Sequence, residues 1–335
     1  MGGFTSKKSV ADAGFERLEG TKRRWDAKAH AWVEEPVNLT MLSEHFAKGA
    51  MRLVYRAWEL KPGVKELSEE NVLRDVVIKR IDPDTLTGHL DQTFQDRCNE
   101  EEAQTSSIAD MYACAFNEAC AAKGILAVPP GAPVDAAPEP VHVRYLPVYV
   151  VELKGIRETL GLEPYVRGEY VKHNNNAGYV SRRGHSTEVA QAFSYFSYVH
   201  SGKEQLVCDV QGVGSWWTDP QIHTMRGDEL GMGNMGADGI ADFLETHTNN
   251  HICEMLELPK SDFELARDAQ REAETKEACE NKKQEAGESK KQEALAPAEG
   301  AAEAERQLPA SLNPATGVVR LRQLLDPPAP ANVPS

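Results

Sequence analysis

Residues 206–224, LVCDVQGVGSWWTDPQIHT, constrain this chain more than any other stretch. An apolar run ends at Asp209, the chain turns at Gly212 and Gly214, and a second carboxylate, Asp219, stands beside Pro220. Gln211 adds an amide oxygen. On a strand, residues two apart share a face, so Asp209 and Gln211 point the same way. An acidic residue at a strand end is most often a turn former. The neighbouring glycines and Asp219 move the reading toward a metal. Two carboxylates and an amide oxygen suit a hard divalent cation plus one free base. Phosphoryl transfer from a magnesium nucleotide needs that set of groups. The spacing predicts a short buried strand over 205–211 running into this loop.

Upstream, residues 21–35 alternate polar and bulky groups around Trp25 and Trp32, as a hairpin does. Strands are predicted over 49–60, 74–81 and 143–154, with a weaker alternation over 165–173. Residues 85–122 carry helical spacing. Residues 124–141 form a Pro/Ala/Gly loop that no helix crosses. Helices are expected over 187–200, with Thr187 as its N-cap, and over 237–256. Lys79 shares a strand face with Val77 and Ile81, so it points inward. That is costly unless it meets a phosphate or carboxylate. From about 258 the chain is rich in Glu, Ala, Lys and Gln with almost nothing large and apolar, so it reads as solvated helix or disorder. A small amphipathic patch, 318–328, lies near a Pro-rich end.

The net charge of −15 disfavours nonspecific nucleic-acid binding. No apolar run reaches the roughly 18 residues of a membrane helix. Six cysteines without a CxxC pair suit a reduced cytoplasmic protein. Gly2 with Ser6 matches a myristoylation pattern, although a plain flexible start is the stronger expectation and one acyl chain anchors only marginally. GMGNMG (231–236) is a GxGxxG pattern, but no strand runs into it, so a dinucleotide fold is excluded by context.

DVQGVGSWWTDPQIHT followed by GMGNMGADGIADFLETH resembles the catalytic core of the alpha-kinases, a family of atypical protein kinases. The resemblance continues through HNNNAGYV (173–180) and AQAFSYFSYVHSG (190–202), and upstream through RDVVIKRID, FAKGAMRLVYR and TKRRWDAKAHAWVEE. It covers about residues 20–257, in order, and is strongest to the elongation-factor-2 kinase and myosin heavy chain kinase branch. It implies an α+β, two-lobed kinase fold with lobes at about 20–162 and 163–257, between a flexible start (1–19) and a low-complexity tail (258–335). It implies ATP and magnesium as cofactors and a protein serine/threonine substrate. By match to the family's motifs, Lys79 and Arg52 contact the phosphates and Glu163 lies on the adenine side. Asp209 and Gln211 hold magnesium, and Asp219 handles the acceptor hydroxyl. Gly231, Gly233 and Gly236 form the loop thought to face the peptide substrate, where Met232 replaces a usual aspartate. The Asn174–Asn176 turn is expected near the active site.

The resemblance also implies a structural zinc held by two histidines and two cysteines. Here one histidine position is Tyr195 and one cysteine position is Asn249, so only His247 and Cys253 match. His251, four residues after His247, is a third candidate on the same helix face. Two good ligands seldom hold a structural ion, so tight zinc is not expected, and packing of Tyr195 is expected to fill the place. Calmodulin dependence is not expected, for want of a basic amphipathic helix with an aromatic anchor. An elongation factor and a helical cytoskeletal protein are family precedents for the substrate. The competing reading is a catalytically weak or inactive descendant that serves as a nucleotide- or partner-binding module.

Overall fold

The computed structural model describes residues 14–294, apart from 50, 83, 85–91, 131, 134 and 182–185. The expectations for Gly2, for the first thirteen residues and for the 318–328 patch lie outside the described residues. The chain divides into two packed units, Met1–Ala273 and Glu274–Ser335.

The first unit opens with successive antiparallel strands, β1 (Phe15–Asp26), β2 (Ala31–Lys48), β3 (Arg52–Leu60) and β4 (Val72–Ile81). The hairpin around Trp25 and Trp32 is present, with those residues directly opposite and their rings 5.4 Å apart. A long helix, α1 (Gln92–Ala122), follows. Short strands β5 (Leu126–Ala127), β6 (Glu139–Pro140) and β7 (Arg144–Tyr145) lead to β8 (Tyr149–Leu153) and β9 (Thr159–Pro164). β9 pairs with β4, and β8 pairs with both β9 and β1. Six strands thereby close a barrel in the order β1-β2-β3-β4-β9-β8. Closure leaves no open sheet edge.

Alternation supplies the barrel core, from Leu39, Met41, Ala57, Val76, Ile78, Val151, Leu160 and Leu162. Lys22 is nearly sealed from solvent on β1. Its ammonium lies 2.7 Å from Glu59, 3.1 Å from Glu35 and 4.8 Å from the centre of the Tyr149 ring. At the β1–β8 seam, Gly20 permits close approach, because an added Cβ would lie 2.1 Å from the Glu152 carbonyl oxygen.

The second half of this unit is built around α2 (Ser186–His200). β10 (Tyr170–Lys172), β12 (Gln211–Val213), β13 (Trp216–Thr218) and β7 form one sheet, with β13 parallel to β7. β11 (Gln205–Cys208) pairs with β14 (Gln221–Thr224). Helices α3 (Gly236–Thr246) and α4 (His251–Met255) complete the layer. Its core gathers Phe116 of α1, Phe193 and Phe196 of α2, Trp217, Ile222 and Phe243. Helix α1 packs against β1, β8 and β9 of the barrel and against α2, β7 and β14. It lends Tyr112 and Phe116 to the second core, and its Ala103 packs in a smaller cluster with Val148 and Val150.

Five expectations change. The strand predicted over 143–154 is two strands in different sheets, because Pro147 offers no amide to either ladder. The alternating run 165–173 contributes only β10. Thr187 lies inside α2, which starts at Ser186, so it is not the N-cap. The helix predicted over 237–256 breaks at His247–Asn250, and Asn250 caps α4 by accepting from the amides of Ile252 and Cys253. The packed unit also runs beyond 258, because α5 (Asp262–Ala294) starts within it. From Glu272 to Lys283 that helix is exposed throughout.

Gly20→Ala should force β1 and β8 apart and lower the unfolding midpoint by about 1–3 kcal/mol of stability, as overpacking does. Chemical denaturation of parent and variant checks this. An unchanged midpoint would show that closure of the barrel tolerates a wider seam.

Candidate active site

The expected strand over 205–211 does not exist as one piece. β11 stops at Cys208 and β12 starts at Gln211. Between them, Asp209 takes a left-handed backbone, φ 57°, and Asp219 does the same at 53°. For a residue other than glycine this costs on the order of 1 kcal/mol, although aspartate tolerates it better than most. Asp209 and Gln211 therefore meet through a turn rather than through strand periodicity. The Gln211 amide donates to Asp209 Oδ2 at 3.0 Å and to the Asp219 carbonyl at 3.3 Å. Between β12 and β13, Gly214 at φ 57° makes the tight hairpin turn. Gly212 allows the Trp216 carbonyl to pack where a Cβ would sit 2.2 Å away.

Lys79 is buried, but on the outer face of the barrel rather than in its core. Val76 and Ile78 fill the core, and Lys79, on the alternate face of β4, reaches toward Glu102 of α1. There the Lys79 ammonium is 2.9 Å from Glu102, 3.3 Å from Glu163 and 4.0 Å from Asp219. Arg52 is 2.5 Å from the other oxygen of Glu102 and donates to Asn99 Oδ1 and the Cys98 carbonyl. Gly161 on β9 leaves room for the cluster, since a Cβ there would be 3.2 Å from the Arg52 guanidinium. Burial opposes the charge on Lys79, but Glu102, Glu163 and Asp219 outweigh it and hold its pKa above the ordinary value. Burial also opposes the Glu102 carboxylate, yet Arg52 and Lys79 keep its pKa low. Burial raises the pKa of Glu163, only partly offset by Lys79. The resemblance implied an adenine-side role for Glu163, and the structure turns its carboxylate into this cluster, where Thr218 also donates to it at 2.5 Å.

Two members of the site were not read from the sequence. Glu102 lies in the run NEEEAQ, where only the helix phase separates it from Glu100 and Glu101. Lys172, on β10, sits 2.6 Å from Asp209 Oδ1. Burial raises the pKa of Asp209, Lys172 lowers it, and the nearby Asp219 charge raises it again. Lys172 supplies a cation to this carboxylate. Asp209 also fits magnesium, whose remaining positions are usually filled by phosphate and water, and the Gln211 amide, whose N–H side faces Asp209, would turn to add its oxygen.

The other expected site residues fall around this centre. Asn174 is buried and accepts from the Val210 amide at 2.8 Å, which braces the turn at Asp209. Asn176 donates to the Gly233 carbonyl at 3.2 Å. In the 231–236 loop, Gly231 and Gly236 have φ of 91° and 67°. Gly233 lies against the Gln221 side chain. Trp217 is fully buried between Tyr145 and Phe193, whereas Trp216 and Met232 are exposed.

The zinc set is not assembled. Tyr195 stacks on His247 at 4.4 Å and donates to the Pro259 carbonyl at 2.6 Å. Asn249 donates its side-chain amide to the Leu258 carbonyl and its backbone amide to Glu264. Burial pushes the Cys253 thiol up to about 12, away from the thiolate a metal needs. His251 lies on the separate helix α4, facing Glu188 at 3.5 Å rather than His247. Among the described residues no group of three His, Cys, Asp or Glu side chains could hold a metal ion. These residues do not fit a structural zinc. The place is closed instead by the start of α5, where Arg267 donates to the carbonyls of Glu245 and His247 at the end of α3.

The family model described as "Alpha-kinase family" matches residues 47–253. The chain belongs to the alpha-kinase family. Over 248 residues it is 33% identical to alpha-protein kinase 1 of Dictyostelium discoideum, covering 72% of this chain and 16% of that protein. Over 243 residues it is 32% identical to eukaryotic elongation factor 2 kinase of Caenorhabditis elegans, covering 72% of this chain and 28% of that protein. The chain thus spans less than a third of the length of these relatives. The solved alpha-kinase domain of myosin-II heavy chain kinase A in complex with AMP-PNP matches with a TM-score of 0.59 at 26% identity, covering 73% of this chain and 97% of that domain. The α+β alpha-kinase fold is shared. Among the described residues no helix is long and apolar enough to cross a membrane.

Burial holds His247 uncharged down to about 4, while an unfolded imidazole takes up a proton near 6.5. Between those values the unfolded chain binds the extra proton, so stability falls as pH is lowered, by up to roughly 3 kcal/mol. His247→Gln should flatten that slope in denaturation curves between pH 7 and 4. An equal slope would place the acid sensitivity elsewhere. Glu264→Gln, at a buried acceptor, or Arg267→Ala, at a half-buried donor, should cost about 1–3 kcal/mol. A strong zinc chelator should leave the parent's unfolding midpoint unchanged, and a drop on chelation would restore the zinc reading.

Proposed function

We propose that this alpha-kinase domain is an ATP-dependent protein kinase that transfers the γ-phosphoryl group to a serine or threonine hydroxyl, with threonine preferred. The observation that carries the reading is the convergence of Lys79, Asp209, Gln211 and Asp219, drawn from the barrel and the second half onto one centre. Lys79 lies close to Asp219, and its charge is held by three carboxylates until phosphate oxygens can compete for it. Arg52 shares Glu102 with it and supports the same phosphates. Asp209 and Gln211 would hold magnesium, which when bound neutralises charge on the phosphates. Lys172 holds the Asp209 carboxylate in place beside that position. The Asp219 side chain is more than half exposed, so it can reach an acceptor hydroxyl, orient it and take its proton. The Gly231–Gly236 loop, beyond β14, would carry the acceptor peptide.

Support for ATP comes from the solved relatives, whose complexes contain ADP or AMP-PNP. The named relatives act on elongation factor 2 and on myosin heavy chain. A translation factor or a helical cytoskeletal protein is therefore the first class of substrate to try. The reading keeps the protein in the cytoplasm, consistent with six free thiols.

The test is transfer of radiolabel from ATP, with magnesium, to a basic threonine-containing protein. The parent should transfer label and Asp219→Ala should not. Glu102→Gln should lower kcat/KM for ATP by at least about tenfold, equivalent to about 1.4 kcal/mol of barrel-to-phosphate positioning. A parent that binds nucleotide and transfers nothing would favour the binding-module reading.

A further inference from the structure

His223 touches none of the groups assigned to chemistry, yet it joins three segments that surround them. It sits on β14 opposite Leu206 and is almost fully buried. Its Nδ1 accepts from the Met235 amide at 3.0 Å. A neutral imidazole that accepts at Nδ1 carries its proton on Nε2. That nitrogen lies 3.0 Å from the Asn176 carbonyl, to which it donates, and 3.4 Å from Cys208 Sγ, next to Asp209. The Asn176 side chain in turn donates to the Gly233 carbonyl. These contacts form a closed triangle. The imidazole holds the loop at Met235 and the turn at Asn176, and Asn176 holds the loop again at Gly233.

The packing around the ring is equally specific. Gly239 of α3 lies against it, and a Cβ there would fall 2.7–2.8 Å from three ring atoms. Burial lowers the pKa of the ring, against the smaller opposing effects of the Asn176 carbonyl and Asp242, which favours the uncharged form with one donor and one acceptor. A hydrocarbon of similar size fills the space but closes neither hydrogen bond.

We propose that His223 is a positioning residue for the acceptor-protein site, fixing the Gly231–Gly236 loop against the segment that carries Asp209. The proposal rests on the kinase reading for its effect on turnover, and on the hydrogen-bond triangle alone for its effect on the loop. It assigns His223 to acceptor binding rather than to nucleotide handling, because its contacts reach the glycine loop and the asparagine turn and not the Lys79 cluster.

The experiment uses the full chain and three forms, the parent, His223→Leu and His223→Gln. Glutamine supplies one acceptor and one donor. Amide hydrogen exchange is read over 225–240, and steady-state kinetics are read with ATP and a threonine-containing basic peptide. In the leucine variant, exchange at Met235 should rise at least about tenfold, as a buried amide loses its acceptor. Peptide KM should rise about tenfold or more while ATP KM changes by less than about twofold, the signature of lost acceptor binding. Glutamine should recover most of both. Unchanged exchange and peptide KM in the leucine variant would overturn the proposal. So would a parallel loss of kcat, both KM values and folding midpoint that glutamine does not relieve. Exchange is read without turnover. A parent that transfers no phosphoryl group while the leucine variant exchanges faster would therefore strike down the kinase reading and leave the loop lock standing.

Discussion

The buried ammonium of Lys79 sets the terms for the rest of this molecule. A lysine sealed between a barrel wall and a helix is affordable only if carboxylates meet it, and three do, from three different elements. Glu102 comes from α1, Glu163 from β9 and Asp219 from the loop between β13 and β14. The pairing therefore fastens the barrel to the second half at the place where chemistry would occur. On the proposed function, the negative phosphates of a nucleotide would compete for the same ammonium.

Helix α1 makes this possible. It packs on the barrel strands on one side and on α2, β7 and β14 on the other. One turn of it presents Glu102 to Lys79 and Arg52. Near it, the Thr105 hydroxyl donates to the Glu101 carbonyl at 2.7 Å and lies 3.4 Å from the Leu230 carbonyl, beside the glycine loop. One rigid element thus touches both the Lys79 cluster and the edge of the glycine loop. The two left-handed aspartates serve the same end. Their strain is small beside the ion pairs that surround them, and it aims two carboxylates into a space that a regular strand would not reach.

Much of this could be read from the letters, and the failures are physical. The isolated lysine among β-branched residues announced a buried charge, because period-2 alternation leaves it no exit to water. Alternation could not say which face of a closed barrel it occupied, since closure depends on β8 returning to β1 from more than a hundred residues away. Asp209 and Gln211 lie side by side, but through a turn at a positive φ rather than on one strand face, which alternation alone does not show. Glu102 was invisible in a run of three glutamates, where only tertiary contact selects one. Lys172 alternated like any solvated strand lysine. The corner around His247 was half legible. The two departures from the family's ligand set could be counted, but the closure by Glu264 and Arg267 comes from a segment whose composition suggested no packing at all.

In the proposed function, one centre binds nucleotide through Lys79 and cation through Asp209. Calorimetric titration with AMP-PNP, in magnesium and in chelator, tests this most directly. Binding should strengthen with magnesium in the parent, lose that magnesium dependence in Asp209→Asn, and weaken sharply in Lys79→Met. Nucleotide binding indifferent to all three changes would contradict it.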